Sequence, residues 1–205
     1  MKILISSNFK KHFDTYIDFI DHYWLNFFNK KKHEFLLVPN SIKLASNLIK
    51  NSKNIDLIII PGGNDLFEKS EISKARLKVE NILIKLSTQK EIPLLGVCRG
   101  MQHINHYFGG SICQIKNHMK KSHNIYLKDN LFLKDRMIVN SYHSFGIKNI
   151  NVAKKFKIKA VDNNNNIEMF EHDQKKIIGV MWHPEREVKF SKLDIKLFRN
   201  FLSIK

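Results

Sequence analysis

The sequence predicts an α/β fold: a mostly parallel central sheet flanked by helices, with a smaller antiparallel β portion in the second half. Three observations carry this expectation. In the first half, short continuous apolar runs alternate with helix-spaced patterns, as expected for strands buried on both faces of a parallel sheet. From Ser111 to Glu185 the segments are shorter, more alternating and joined by turns. The 205 residues are 43% apolar, enough to bury a sizeable core, and with neither repeat nor linker they read as a single domain over 1–205.

Lys2–Ser6 reads as the first strand. Over Phe13–Phe28 the residues Phe13, Tyr16, Ile17, Ile20, Trp24, Phe27 and Phe28 fall at helical spacing and predict a helix. Glu34–Pro39 is a second strand, and Ser41 can cap a helix running to about Asn51. Asp56–Pro61 reads as a fully buried strand ending in Pro61-Gly62-Gly63. A helix follows over roughly Ser70–Ser87, then another buried strand at Ile92–Val97. Ser111–Ile115 is an apolar strand. Lys157–Val161 and Ile167–Glu171 form a hairpin joined by Asp162-Asn163-Asn164-Asn165-Asn166. Ile177–Trp182 is a further apolar strand, and Ser191–Ile204 closes the chain as a helix.

Charge alone points to a nucleic-acid or membrane-surface partner, at +16 and a pI near 9.8. The composition argues otherwise. Lys accounts for 30 of the basic residues and Arg for only 5, while Ile (27) and Asn (21) are also abundant. These three share A/T-rich codons, and nucleic-acid readers lean on Arg for bidentate contacts. A solvated basic surface is therefore expected rather than a nucleic-acid footprint, and an anionic small-molecule substrate fits it. The longest apolar run, Ile92–Cys98, falls far short of the ~20 residues of a membrane helix. No secretory segment opens the sequence. Cys98 and Cys113 are too few for a disulfide framework and lack a C-x-x-C spacing, so a cytoplasmic setting with both thiols free is expected.

The chemistry concentrates in Pro93-Leu94-Leu95-Gly96-Val97-Cys98-Arg99-Gly100-Met101-Gln102. A buried strand runs into G-x-C-x-G, and Met101, Ile104 and Phe108 then recur at helical spacing. This is a cysteine version of the nucleophile elbow, whose sharp turn needs flanking glycines to pack its backbone closely. Cys98 then sits at a helix N-terminus, which favours a thiolate, and the N–H of Arg99 can help bind an oxyanion. An inert core thiol is the other reading of Cys98, and the paired glycines at a strand end fit it poorly. Cys113 lacks such flanks and reads as core.

Such a thiolate needs an imidazole to protonate a leaving group and a third group to orient it. Trp182-His183-Pro184-Glu185 supplies both. Pro184 holds His183 extended at a strand end, and Glu185 can reach its ring. His12, His22, His33, His118 and His123 lie in polar surroundings. His103 and His106 share a helix face at i, i+3, but no third ligand is apparent, so neither metal nor cofactor is expected.

Together these segments resemble the class I glutamine amidotransferase superfamily, whose fold is flavodoxin-like. They match its glycine pair (Gly62-Gly63), its G-x-C-x-G-x-Q elbow (Gly96–Gln102) and its H-P-E (His183-Pro184-Glu185), over about Met1 to Phe201. Arg99, Met101, Phe108-Gly109-Gly110, Val139-Asn140-Ser141-Tyr142-His143 and Trp182–Glu185 resemble its γ-glutamyl hydrolase branch in particular. So does Ala160–Glu171, where asparagines replace the branch's usual glycine. The resemblance implies a catalytic Cys98, His183 and Glu185, and an oxyanion hole from the N–H groups of Gly63 and Arg99. It also implies substrate contacts from Gln102, Asn140, Ser141, Tyr142 and His143, and a γ-glutamyl amide as substrate. A short connection from Gly62 to Phe67 leaves room for a large leaving group, and Tyr16–Phe27, with Asp21 and Trp24, agrees with a subgroup whose substrate is nucleotide-linked. Two other readings stay open. One is a glutaminase subunit feeding ammonia to a separate synthetase, which would have to be a partner chain. The other is a non-catalytic regulator or RNA-binding protein using the basic surface.

Overall fold

Ile3, Leu4 and Ile5 carry no polar side chain and are fully buried, which makes β1 (Lys2–Ser6) an interior strand from the outset. The computed structural model describes residues 1–28, 33–116, 118–128, 136–187 and 194. After β1 come β2 (Asn8–His12), β3 (Thr15–Phe19), α1 (His22–Phe28), β4 (Glu34–Val38), α2 (Ile42–Asn51), β5 (Leu57–Ile60), α3 (Glu71–Lys90), β6 (Leu94–Val97) and α4 (Arg99–Tyr107). The second half holds β7 (Cys113–Gln114), β8 (Met119–Leu127), β9 (Arg136–Tyr142), β10 (Phe145–Gly146), β11 (Phe156–Asp162), β12 (Ile167–His172) and β13 (Ile177–Val180), then a 3-10 turn at Pro184–Arg186.

Nine strands form one sheet in the order β4-β1-β5-β6-β13-β12-β11-β8-β9. The first five are mutually parallel and the rest pair antiparallel, as the change of pattern after Ser111 predicts. Successive strand residues feed opposite faces. Leu4, Ile58, Ile60 and Leu94 pack with Ala45 of α2, Val79 and Leu83 of α3, and Met101 and Ile104 of α4. Ile3, Ile5, Ile59 and Leu95 pack on the other side with Trp24 of α1. Ser41 and Ser70 cap α2 and α3, their hydroxyls accepting from the N–H groups of Leu44 (3.5 Å) and Ser73 (3.3 Å). No described helix is long and apolar enough to cross a membrane.

Three expectations change. The helix predicted over Phe13–Phe28 is instead a hairpin followed by α1. β2 and β3 pair from Asn8↔Phe19 to His12↔Thr15, with Phe13-Asp14 at the turn. Aromatic and β-branched residues at Thr15, Tyr16 and Ile17 favour extended chain, and Tyr16 packs edge-on against Phe9 across the pair at 6.0 Å. Over Ser111–Ile115 only Cys113–Gln114 is strand, paired to β10 in a small separate sheet. Cys113 is therefore half-buried rather than core, and both it and Cys98 are free thiols. The helix expected at Ser191–Ile204 lies outside the described residues, apart from Asp194.

Candidate active site

Parallel register brings the ends of β5, β6 and β13 side by side. Ile60 aligns with Gly96, and Val97 with Val180, so the segments that follow all leave the same edge of the sheet. This is where open α/β sheets bind ligands. The N–H of Cys98 donates to the Val180 carbonyl at 2.8 Å, carrying the ladder one residue past β6. The chain then turns sharply. Cys98 has φ 51°, ψ −108°, outside the usual L-residue regions, and α4 starts at the next residue. A Cβ on Gly100 would lie 1.9 Å from the Ile60 carbonyl oxygen, so only glycine lets α4 begin against the end of β5.

Asn140 of β9 holds the backbone of His183 on both sides. Its Oδ1 accepts from the His183 N–H and its Nδ2 donates to the His183 carbonyl, each at 2.8 Å. The His183 Nδ1–H donates to Glu185 Oε1 at 2.6 Å, and the ring lies beside Cys98. A Cβ on Gly62 would fall 2.6 Å from His183 Cε1, 3.3 Å from His183 Nε2 and 3.4 Å from Cys98 Cβ, so the imidazole and the cysteine crowd the same bare glycine. Burial alone would push the imidazolium pKa down. Attraction to Cys98 and the Glu185 carboxylate outweigh burial and raise the pKa to about 10.

A cleft opens over this group, lined by Gly63, Asn64, Asp65, Cys98, Arg99, Gln102, Met119 and Tyr142–Phe145. The same arrangement carries a family relationship: residues 14–185 match peptidase C26. The chain belongs to the peptidase C26 family. Similar to this peptidase C26 member is the γ-glutamyl-CDP-amidate hydrolase of Campylobacter jejuni, 35% identical over 175 residues covering 84% of this chain and 82% of that one. A glutamine-hydrolysing GMP synthase subunit of Methanobrevibacter smithii is 32% identical over 82% of this chain and 81% of its own. In fold, a GMP synthase subunit from Thermoplasma acidophilum superposes with a TM-score of 0.73, at 23% identity over 100% of this chain and 93% of that one. A Thermotoga maritima glutamine amidotransferase superposes at 0.65, with 19% identity over 98% and 84%.

Within this peptidase C26 member, the residues expected to hold substrate divide into two groups. Gln102, Tyr142 and His143 line the cleft beside Gly63 and Arg99. Gln102 Nε2 donates to the Phe145 carbonyl at 2.9 Å, bracing one wall. Asn140 and Ser141 turn away from the cleft: Asn140 grips His183, and Ser141 Oγ donates to the His118 carbonyl at 2.5 Å. The Arg99 guanidinium also points inward, donating to Glu80 Oε2 at 2.6 Å, although Arg99 borders the cleft.

Glu80, which sequence reasoning missed, is fully buried beneath the elbow. It accepts from Ser6 Oγ (3.1 Å), Arg76 Nε (2.8 Å), Arg99 Nη1 (2.6 Å) and His103 Nδ1 (2.6 Å). A signal existed: Arg76 and Glu80 lie at i, i+4 on the same stripe as Val79 and Leu83. His103 is thereby committed to Glu80, and His106 packs edge-on to Phe67 at 5.3 Å. His118 and His123 are not in the polar surroundings their neighbours implied. Both sit beside the buried Glu168.

Proposed function

We propose that the protein is a cysteine-dependent hydrolase that cleaves a γ-glutamyl amide through a γ-glutamyl thioester and releases L-glutamate. The observation that carries this reading is the buried chain Cys98–His183–Glu185 opening on a cleft with Gly63 and Arg99 at its rim. The Cys98 thiolate attacks the γ-carbonyl carbon, and the carbonyl electrons move to oxygen. Backbone N–H groups of Gly63 and Arg99 receive that oxyanion; one such donor is worth about 3 kcal/mol of transition-state stabilisation. His183 passes its proton to the departing nitrogen as the C–N bond breaks, leaving the thioester. It then takes a proton from water, whose oxygen attacks the thioester and expels the thiolate. Glu185 keeps the Nδ1 proton in place throughout and balances the imidazolium charge. Gln102, Tyr142 and His143 position the glutamyl group.

The substrate we propose is γ-L-glutamyl-CDP-amidate, hydrolysed to cytidine diphosphoramidate in capsule biosynthesis in the cytoplasm. The Campylobacter jejuni relative supports this choice, and so does the mouth of the cleft. Arg186 stacks its guanidinium 4.7 Å from the centre of the Tyr142 ring that lines the cleft and pairs with Asp21 at 3.6 Å, a partly exposed cation next to the cleft wall that a diphosphate leaving group could engage by displacing Asp21. The test is glutamate release from a panel of γ-glutamyl compounds by wild type and Cys98→Ala. Wild type is expected to turn over the nucleotide conjugate fastest, and the variant to release nothing. No release from any compound, or equal release by Cys98→Ala, overturns the assignment. The Methanobrevibacter smithii relative favours a second reading, a glutaminase that works beside a synthetase. Free glutamine would then be the preferred substrate, and its hydrolysis would rise when a synthetase partner is added.

A further inference from the structure

Behind the Tyr142–Phe145 wall of the cleft, three histidines close on one carboxylate. Glu168 of β12 is fully buried, and neither of its oxygens has a hydrogen-bond partner among the described residues. His118 Nε2 and His143 Nε2 each lie 4.0 Å from its Oε1, and His123 Nε2 lies 3.5 Å from its Oε2. His118 and His143 are both oriented from behind: their Nδ1–H groups donate to the carbonyls of Lys116 (2.7 Å) and Phe145 (3.0 Å). His143 is held as metal-ligating imidazoles are, its Nε2 left without a partner among the described residues, while His118 Nε2 donates to Asp162 Oδ2 at 2.8 Å. The His118 ring centre lies 4.8 Å from that of His123 and 5.0 Å from that of His143.

The cluster is short of partners for its polar atoms. The Nε2 of His143 is buried and unpartnered among the described residues, as are both ring nitrogens of His123. Buried polar groups are nearly always satisfied, and a sealed carboxylate beside unpartnered ring nitrogens of His123 and His143 calls for a shared positive centre. The spacing suits an ion. Donors around a tetrahedral Zn²⁺ at bond lengths of about 2.1 Å sit roughly 3.4 Å apart; His123 Nε2 and Glu168 Oε2 at 3.5 Å match that spacing, and the 4.0 Å separations of His118 and His143 from Oε1 close to it on binding an ion. The ligand atoms of His118, His123 and Glu168 all lie within 4.8 Å of one another. Asp162 Oδ2 accepts from His118 Nε2 at 2.8 Å, so an ion entering at His118 takes the place of that proton, and Asp162 is itself fixed by the side chain of Asn166.

We propose that His118, His123, Glu168 and His143 form a buried binding site for a first-row divalent cation of the Zn²⁺ type. Nitrogen and carboxylate donors without sulfur select that class over Ca²⁺ or Mg²⁺. The ligands come from the residue before β8, from β8 itself, from the residue after β9, and from β12. The ion clamps the antiparallel half of the sheet and braces the wall that carries Tyr142 and His143. It takes no part in the chemistry at Cys98, and the site stands whether or not the hydrolase reading does.

The test uses Cys98→Ser protein, so that the thiolate cannot contribute a ligand. After chelator treatment, reloading with Zn²⁺ and gel filtration, one ion per chain is expected by elemental analysis, with a rise in melting temperature over the stripped protein. Glu168→Gln and His123→Ala in the same background are expected to lose that equivalent. Retention of no ion, or equal retention in both variants, overturns the proposal and marks any binding as surface histidine chemistry. Should either variant fail to fold, Co²⁺ loading of the Cys98→Ser protein decides alone. Intense tetrahedral ligand-field bands with no thiolate charge-transfer band support the site, and a weak octahedral spectrum overturns it.

Discussion

At Gly62 the absence of one methyl group lets an imidazole and a sulfur meet. The position a Cβ would take is 2.6 Å from His183 Cε1, closer than real contacts allow, and no flexible tip stands there to yield. Gly62→Ala should therefore swing His183 off Cys98 and lower glutamate release by about 10²-fold, the scale of an ångström misplacement. Melting temperature should move little; a fully active variant would show that His183 does not rest against Gly62. The imidazole also sets a pH dependence. Its folded pKa, about 10, lies above the ordinary imidazole value. The stability it contributes is thus fully present below about pH 6.5 and is lost as pH rises through its folded pKa. Cys98→Ala removes the main attraction, so urea unfolding should show a shallower loss across that window than in wild type. Cys98, His183 and Glu185 were legible in the sequence because an elbow and an H-P-E string are local constraints. Asn140 was visible as a motif but not in its job, since its partner is a backbone brought near only by the sheet.

At the scale of elements, the cap at Ser41 was read correctly from a serine ahead of an apolar stripe, and the helix read from Ser70 starts one residue later, at Glu71, with Ser70 as its cap. The first helix was not read correctly. Phe13 and Ile17, four residues apart, suit both a 3.6-residue spacing and an alternating one, and Tyr16 of β3 packs against Phe9 of β2 across the hairpin. The turn shows the consequence. Phe13 is 82% exposed and held at φ 52°, where a non-glycine residue pays roughly 1 kcal/mol. Phe13→Gly should stabilise the protein by about 0.5–1 kcal/mol in urea unfolding, because little packing is lost. Were this segment helical, the same change would destabilise by a similar amount. The asparagine run behaves as its chemistry implies: Asn165 adopts φ 58°, the left-handed conformation that Asn tolerates better than most side-chain-bearing residues.

Across the whole molecule, Glu80 is the junction that couples the helices to the elbow, joining β1 through Ser6, α3 through Arg76, and α4 through Arg99 and His103. Burial opposes its ionisation, but the charges of Arg99 and Arg76 and the hydrogen bond from His103 win, and its pKa falls well below the ordinary carboxylate range. A depressed carboxylate contributes stability above its unfolded pKa and loses it as pH falls toward the folded value. Glu80→Gln leaves two buried guanidiniums without a counter-charge, so a loss of about 3–5 kcal/mol is expected at neutral pH. The variant should also show a flatter acid limb in unfolding experiments below about pH 4; unchanged stability would mean the network carries no net energy. What the sequence by itself determined was the sheet-and-helix order, the elbow at Cys98 and the His183–Glu185 string, because periodicity and local turns specify faces and bends within a few residues. Tertiary structure alone decided the rest: that Arg99 turns inward, that Asn140 holds His183, and that three distant histidines meet Glu168. Strand order and register set those partners, and a periodic pattern records which side of an element is buried but not what lies across from it.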